Sequence, residues 1–190
     1  PVIEAAAQAG IRPIVCRQER VGVGIADGFS RVTNGDRVGV FAMQYGPGAE
    51  NAFGGVAQAF ADSVPVLLLP GGHARSRTGV HPGFEAVDNY RGITKWAANI
   101  NLVERIPEMM GRAFSQLKHG RPGPVLVDIP KDVQFASADY TPKAKAPVSH
   151  YQPQVKGDME TITELVEAIE TAERPVFYTG GGVINSGPAA

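Results

Sequence analysis

Two short runs, "VPVLLLP" at residues 64–70 and "GPVLVDIP" at 123–130, constrain the fold more than any other feature of the chain. Neither alternates apolar with polar residues, so a strand built from either must be covered on both faces. "RVGVFAM" (37–43) reads as a further strand and "IVC" (14–16) as a short one. Between them lie helix-like segments: residues 1–9, stopping at Gly10, Gln18 to Val32, and "GAENAFGGVAQAFAD" at 48–62. A last one spans 103–120, with Val103, Ile106, Met110, Ala113, Phe114 and Leu117 on one face. Apolar strands alternating with helices predict an α/β fold, a parallel sheet flanked by helices on both faces.

Acids and bases are interspersed and the formal net charge is −1, which gives no basic face for nucleic acid. Cys16 is the single cysteine, so neither an internal disulfide nor a cysteine-based zinc site is available; a cytoplasmic setting is expected. No apolar stretch approaches the ~20 residues of a membrane span. With 190 residues there is enough chain for one domain and part of another.

The stretch from Gly71 to about Ile93 is too long for a routine connection and is expected to be a binding loop. Past Asp132, a segment carrying Pro142, Pro147 and Pro153 shows no apolar periodicity and reads as an extended linker. Beyond it, Met159, Ile162, Leu165, Val166 and Ile169 make a helical stripe, and "RPVFYTGGG" (174–182) reads as a strand with a glycine turn. The expected organisation is a first domain at 1–137, a linker at 138–157 and the start of a second α/β domain at 158–190. Both ends look cut, so the chain is expected to be a fragment.

Glu19 stands where a strand is expected to give way to a helix, on the carboxyl edge of a parallel sheet, where ligands bind in such folds. A carboxylate there is ordinarily only a partner of the helix dipole. Gly22 and Gly24 cost the helix about 1 kcal/mol each relative to alanine, which raises the question of what they are for. Gly46-Pro47-Gly48 fixes a second strand-to-helix turn, with Asn51 one turn into the helix. Neither the P-loop nor the dinucleotide fingerprint is present. His73, His81, His119 and His150 share no metal-ligand spacing, and no nucleophile motif appears. Taken alone, these residues describe an α/β domain with an unidentified ligand.

In this order, the segments resemble one family. "RQERVGVGIADGFSRVTNG" is similar to the pyrimidine-binding domain of thiamine diphosphate enzymes, with its Arg-His-Glu and Ala-Asp-Gly-Tyr-Ala-Arg pattern. "QYGPGAENAFGGVAQAFADSVPVLLLPG", "GFEAVDNYRGITKWAANI" and "GRPGPVLVDIPKDVQ" resemble later blocks as they occur in acetolactate synthases, and "RPVFYTGGGVINSG" resembles the start of their central domain.

The resemblance implies roles. Glu19 would be the catalytic acid that hydrogen-bonds the aminopyrimidine of thiamine diphosphate. Gly46, Pro47 and Asn51 would line that ring, with Gly22 and Gly24 packed beneath the cofactor or against a partner subunit. Phe84, Glu85 and Lys95 would face a 2-keto acid substrate. The family usually has Gln at Glu85, and the acid there is reminiscent of oxalyl-CoA decarboxylase. Gln18 stands where His is usual. Arg121, Gly180, Gly181, Gly182 and Asn185 match positions that contact FAD, a structural flavin in acetolactate synthases. Mg²⁺ and the diphosphate are held in that family by a C-terminal domain whose Gly-Asp-Gly…Asn motif is absent here. The implied protein is a homodimer or homotetramer with its active site at the subunit interface, acetolactate synthase-like, and the fragment alone is expected to be inactive. A different thiamine diphosphate lyase or decarboxylase, or a non-catalytic nucleotide-binding module, are the other readings.

Overall fold

A computed structural model describes residues 2–140 and 156–185, excluding the side chains of residues 184 and 185. Most of the expected linker, and His150, lie outside the described residues. The chain divides into two compact units, Pro1–Thr141 and Pro142–Ala190.

The first unit holds helices α1 (Val2–Gln8), α2 (Glu19–Val32), α3 (Pro47–Ala61), α4 (Ala86–Tyr90), α5 (Ile106–Lys118) and α6 (Lys131–Gln134). Its strands are β1 (Gly39–Met43), β2 (Val66–Gly72), β3 (Trp96–Asn99) and β4 (Val125–Pro130). They form one sheet in the order β1-β2-β4-β3. Every pair is parallel, with Gly39 beside Val66, Leu67 beside Val125 and Trp96 beside Val125.

Alternate residues of the central strands feed two cores. Val66, Leu68 and Leu126 pack with Val23, Ala26, Ala52 and Val56 of α2 and α3 on one face. Leu67, Val125, Val127 and Ile129 pack with Met109, Ala113 and Leu117 of α5 on the other. The expected α/β sheet with helices on both faces is therefore present.

Glycines set how closely α2 lies on β1. A Cβ on Gly22 would come within 2.2 Å of Phe41 Cε2, and one on Gly39 within 2.1 Å of the Ala26 carbonyl oxygen. Gly22 thus packs against a strand of its own domain, while nothing lies within 4 Å of a Cβ on Gly24. Ser30, 1% exposed, ties the same layers together: its Oγ donates to the Pro65 carbonyl at 2.6 Å and accepts from the Gly39 N–H at 2.8 Å.

Two expected strands are not formed. Residues 14–16 have no ladder, with Ile14 and Val15 exposed, and the same holds for 174–180, with Val176, Phe177 and Tyr178 exposed. Apolar β-formers supply propensity, but a strand exists only with a hydrogen-bonded neighbour, and neither segment has one among the described residues. Conversely, β3 is formed from Trp-Ala-Ala-Asn and held by β4 alone. The expected irregular stretch 71–93 contains α4 and two single 3₁₀ turns, Arg75–Arg77 and Arg91–Ile93.

In the second unit, α7 (Met159–Thr171) is capped by Asp158, whose carboxylate accepts from the Thr161 N–H at 2.8 Å. A short α8 (Gly181–Asn185) takes in Gly181 and Gly182.

Candidate functional site

Glu19 is the first residue of α2. The helix is started by Gln18, in extended conformation, whose side-chain oxygen accepts from the Val21 N–H at 3.2 Å. The glutamine at that position thus has a local task, relieving one unpaired N–H of the first turn. Half-buried Glu19 leans over the turn between β1 and α3. Its Oε2 accepts from Asn51 Nδ2 at 3.2 Å, and its Oε1 lies 3.6 Å from where a Cβ on Gly48 would sit. Gly46 takes φ 61°, a conformation few other residues tolerate, and Pro47 then opens α3 at its first position. The structure therefore brings together Glu19, Gly46, Pro47 and Asn51, four residues from two sequence blocks.

A narrow recess opens next to this turn, at the carboxyl ends of β1, β2 and β4. Tyr45, Gly72, His73, Phe84, Glu85 and Asp128 contribute to its walls. Its cover is fixed by Tyr90 of α4, fully buried, whose hydroxyl donates to the Ala49 carbonyl in the first turn of α3. Burial raises the Tyr90 phenol well above its ordinary value, which keeps it a neutral donor. Phe84 stands edge-on to Tyr90, ring centroids 6.4 Å apart. Through these contacts Phe84 and Glu85 are anchored to the same helix end that faces Glu19.

Lys95 is elsewhere. It immediately precedes β3, its N–H donates to the Pro124 carbonyl at 2.8 Å, and its ammonium bonds the His119 carbonyl. That is the amino edge of the sheet, opposite Glu85, so Lys95 does not join Phe84 and Glu85. Burial lowers its pKa. Arg121 is at the amino edge as well, exposed, with Nε donating to Ser63 Oγ at 2.6 Å. Gly180, Gly181, Gly182 and Asn185 belong to the second unit. The Asn185 side chain is outside the described residues.

Two residues at the carboxyl edge were not singled out from sequence. Asp128, near the end of β4, is 7% exposed; its Oδ2 accepts from Asn99 Nδ2 at 3.1 Å, and its Oδ1 has no hydrogen-bond partner. Burial pushes its pKa up to about 6, with Glu85 adding to the rise and the Asn99 hydrogen bond opposing it. Lys131, first residue of α6, is exposed and follows β4 directly, which makes it a cation of the carboxyl edge. The signal for both was the "DIPK" that closes an apolar strand.

The Glu19–Asn51 pair fits the ring-nitrogen contact that thiamine diphosphate would need: Asn51 holds one carboxylate oxygen, and the other borders the backbone of Gly48. Among the described residues no cluster of three His, Cys, Asp or Glu could hold a metal ion. No helix among them is long and apolar enough to cross a membrane.

Residues 1–92 match the family model of the thiamine pyrophosphate enzyme N-terminal TPP binding domain. Over 99% of its length the chain is 38% identical to an acetolactate synthase of Arthrospira platensis, covering 33% of that protein. It is 35% identical to the acetolactate synthase isozyme 3 large subunit of Escherichia coli K12, over 94% of this chain and 31% of the relative. A glyoxylate carboligase of Escherichia coli O157:H7 is 36% identical over 95% of this chain and 30% of its own. The chain spans about a third of the length of these curated relatives. Glu19 and its turn lie inside the matched residues and the likeness runs along nearly all 190 residues, so residues 1–92 are a thiamine pyrophosphate enzyme N-terminal TPP binding domain.

Proposed function

We propose that the protein is part of a thiamine diphosphate-dependent decarboxylase and carboligase of the acetolactate synthase type, acting on 2-keto acids such as pyruvate. The observation that carries this is the Glu19 carboxylate, held by Asn51 over the glycine turn that opens α3. When bound, thiamine diphosphate supplies a thiazolium that takes up the electrons left by decarboxylation of a 2-keto acid. Glu19 holds the aminopyrimidine by its ring nitrogen and shares a proton with it, Asn51 fixes the carboxylate, and Gly46 and Pro47 shape the floor. Phe84 and Glu85 belong to the substrate end. Lys95, at the opposite edge, is not part of this proposal, and Lys131 takes its place as the nearby cation.

The diphosphate and Mg²⁺ go to a domain outside these 190 residues, contributed by a second subunit, in a cytoplasmic homodimer or homotetramer. Arg121, Gly180, Gly181, Gly182 and Asn185 are proposed FAD contacts on their sequence match; flavin absorbance of the purified full-length protein tests this. Glu85 favours a second reading within the same chemistry. The acid at Glu85, where the family usually has Gln, supports a substrate other than pyruvate, in an oxalyl-CoA decarboxylase-like or another lyase reaction.

The test is exchange of the cofactor's C2 proton, followed by NMR, with turnover of pyruvate measured alongside. Full-length protein accelerates exchange, Glu19→Gln slows it by about 100-fold or more, as expected for loss of a general acid–base group, and the 190-residue chain alone shows none. Unchanged exchange in Glu19→Gln refutes the role given to Glu19, and no acceleration by the full-length protein leaves a non-catalytic module. Exchange without acetolactate from pyruvate moves the assignment to a sibling reaction.

A further inference from the structure

Tyr90 carries a hydroxyl that the proposed chemistry does not use. The residue closes α4, is fully buried, and packs edge-on against two rings: Phe53 of α3, centroids 5.3 Å apart, and Phe84, 6.4 Å apart. A phenylalanine would make both ring contacts. The hydroxyl is explained only by what it touches, the Ala49 carbonyl in the first turn of α3. Ala49 is fully buried, yet its carbonyl is not short of a partner, because α-helical geometry already gives it the N–H four residues on, at Phe53. The phenol therefore does not relieve an orphaned helix group, and burying it costs solvation that only this hydrogen bond returns. What the bond adds is register. Among the described residues it is the one hydrogen bond between α4 and α3.

That bond joins two blocks. In the first, the Glu85 carbonyl accepts from the Asn89 N–H at 3.1 Å and from Asn89 Nδ2 at 2.8 Å, while Thr94 Oγ1 donates to the Tyr90 carbonyl at 2.8 Å. Glu85 thus moves with α4, and Phe84 with the Tyr90 ring. In the second block, Gly46, Pro47 and Gly48 lead straight into Ala49, with Glu19 Oε1 against Gly48. The blocks meet at the narrow recess, Tyr45 and Gly46 on one side and Phe84 and Glu85 on the other. Apolar contacts between them are non-directional and do not fix a slide of α4 along α3. A misplacement of about 1 Å is enough to cost a reaction on the order of 100-fold. We infer that Tyr90 is a positioning residue for the substrate: its hydroxyl, bonded to the Ala49 carbonyl, sets Phe84 and Glu85 in register with the turn that faces Glu19. It acts on substrate capture and leaves activation of the cofactor alone, a role that rests on the thiamine diphosphate reading.

Full-length wild type is compared with Tyr90→Phe and with Phe53→Leu, which trims the neighbouring ring and leaves the hydroxyl in place. Without cofactor, hydrogen exchange followed by mass spectrometry is expected to quicken about tenfold over residues 84–90 in Tyr90→Phe, with β2 and β4 unchanged. With thiamine diphosphate and Mg²⁺, exchange of the cofactor's C2 proton in Tyr90→Phe should stay within about twofold of the wild type. KM for pyruvate or oxalyl-CoA, whichever the wild type turns over, should rise about tenfold with kcat nearly unchanged. Phe53→Leu, which lowers stability through packing alone, should leave KM within about twofold. Unaltered hydrogen exchange over 84–90, an unaltered KM in Tyr90→Phe, C2 exchange that slows with it, or an equal rise of KM in Phe53→Leu would each overturn the inference. A wild type that accelerates no C2 exchange, or turns over neither substrate, counts instead against the reading beneath it; hydrogen exchange over 84–90 then decides by itself whether Tyr90 sets that register.

Discussion

Replacing Asp128 by Asn should change how stability depends on pH, with a sign fixed by burial. The carboxyl titrates near 3.9 in an unfolded chain and is pushed to about 6 in the fold. Below pH 4 it is protonated in both states and the fold bears no penalty. Between pH 4 and 6 the native state holds more protons than the unfolded one, so stability falls as pH rises. Above pH 6 it is ionised in both, and the whole penalty stands. A shift of about two units at 1.36 kcal/mol each sets that penalty at about 3 kcal/mol, and the residue is too deeply buried for solvent to screen much of it. Asparagine keeps an acceptor for Asn99 and removes the charge. The assay is urea denaturation of wild type and Asp128→Asn from pH 4 to 7.5, read by Trp96, the single tryptophan, which sits on the strand paired with β4. Taking the difference cancels groups that titrate alike in both proteins, such as Asp132, held low by Arg75. Asp128→Asn should gain about 3 kcal/mol on the wild type across that interval. A difference that stays flat within about 0.5 kcal/mol, or runs the other way, would refute the burial argument.

Other substitutions test the packing of α2. Gly39→Ala should destabilise by about 3 kcal/mol, because the new Cβ would meet the Ala26 backbone, which cannot give way; an unchanged urea midpoint would contradict this. Gly24→Ala, with nothing within 4 Å, should instead raise stability by about 0.5–1 kcal/mol. Ser30→Ala strands the Gly39 N–H and the Pro65 carbonyl in a buried place, and should cost about 2–4 kcal/mol in the same denaturation assay.

Much of this fold was legible because burial on both faces leaves an unmistakable pattern. β2 is apolar throughout and β4 at every position but Asp128, and the helices around them carry apolar faces at helical spacing. The "IVC" and "VFY" segments show the reverse case, since their residues prefer strands and nothing among the described residues pairs with them. β3 was hidden for the opposite reason. Its two alanines and Asn99 have weak strand character, and only β4 beside it makes it a strand. Asp128 was hidden because a polar residue inside an apolar run does not reveal whether it faces solvent or the recess.

Missing β3 had a consequence for the site. In a parallel sheet, a residue just before a strand lies at the amino edge and one just after lies at the carboxyl edge, whatever its chemistry. Lys95 stands immediately before Trp96, so the existence of β3 alone removes it from the edge that carries Glu19 and Glu85. Lys131 stands immediately after Pro130 and is put at that edge by the same rule. Glu19 lies at the carboxyl edge although its preceding strand is not formed, because its position is set by α2 packing against α3 and by the bond from Asn51. A site residue is therefore legible from sequence only as securely as the element that orients it. A lysine matched by pattern to a substrate role can sit a full strand length away when the strand between goes unread.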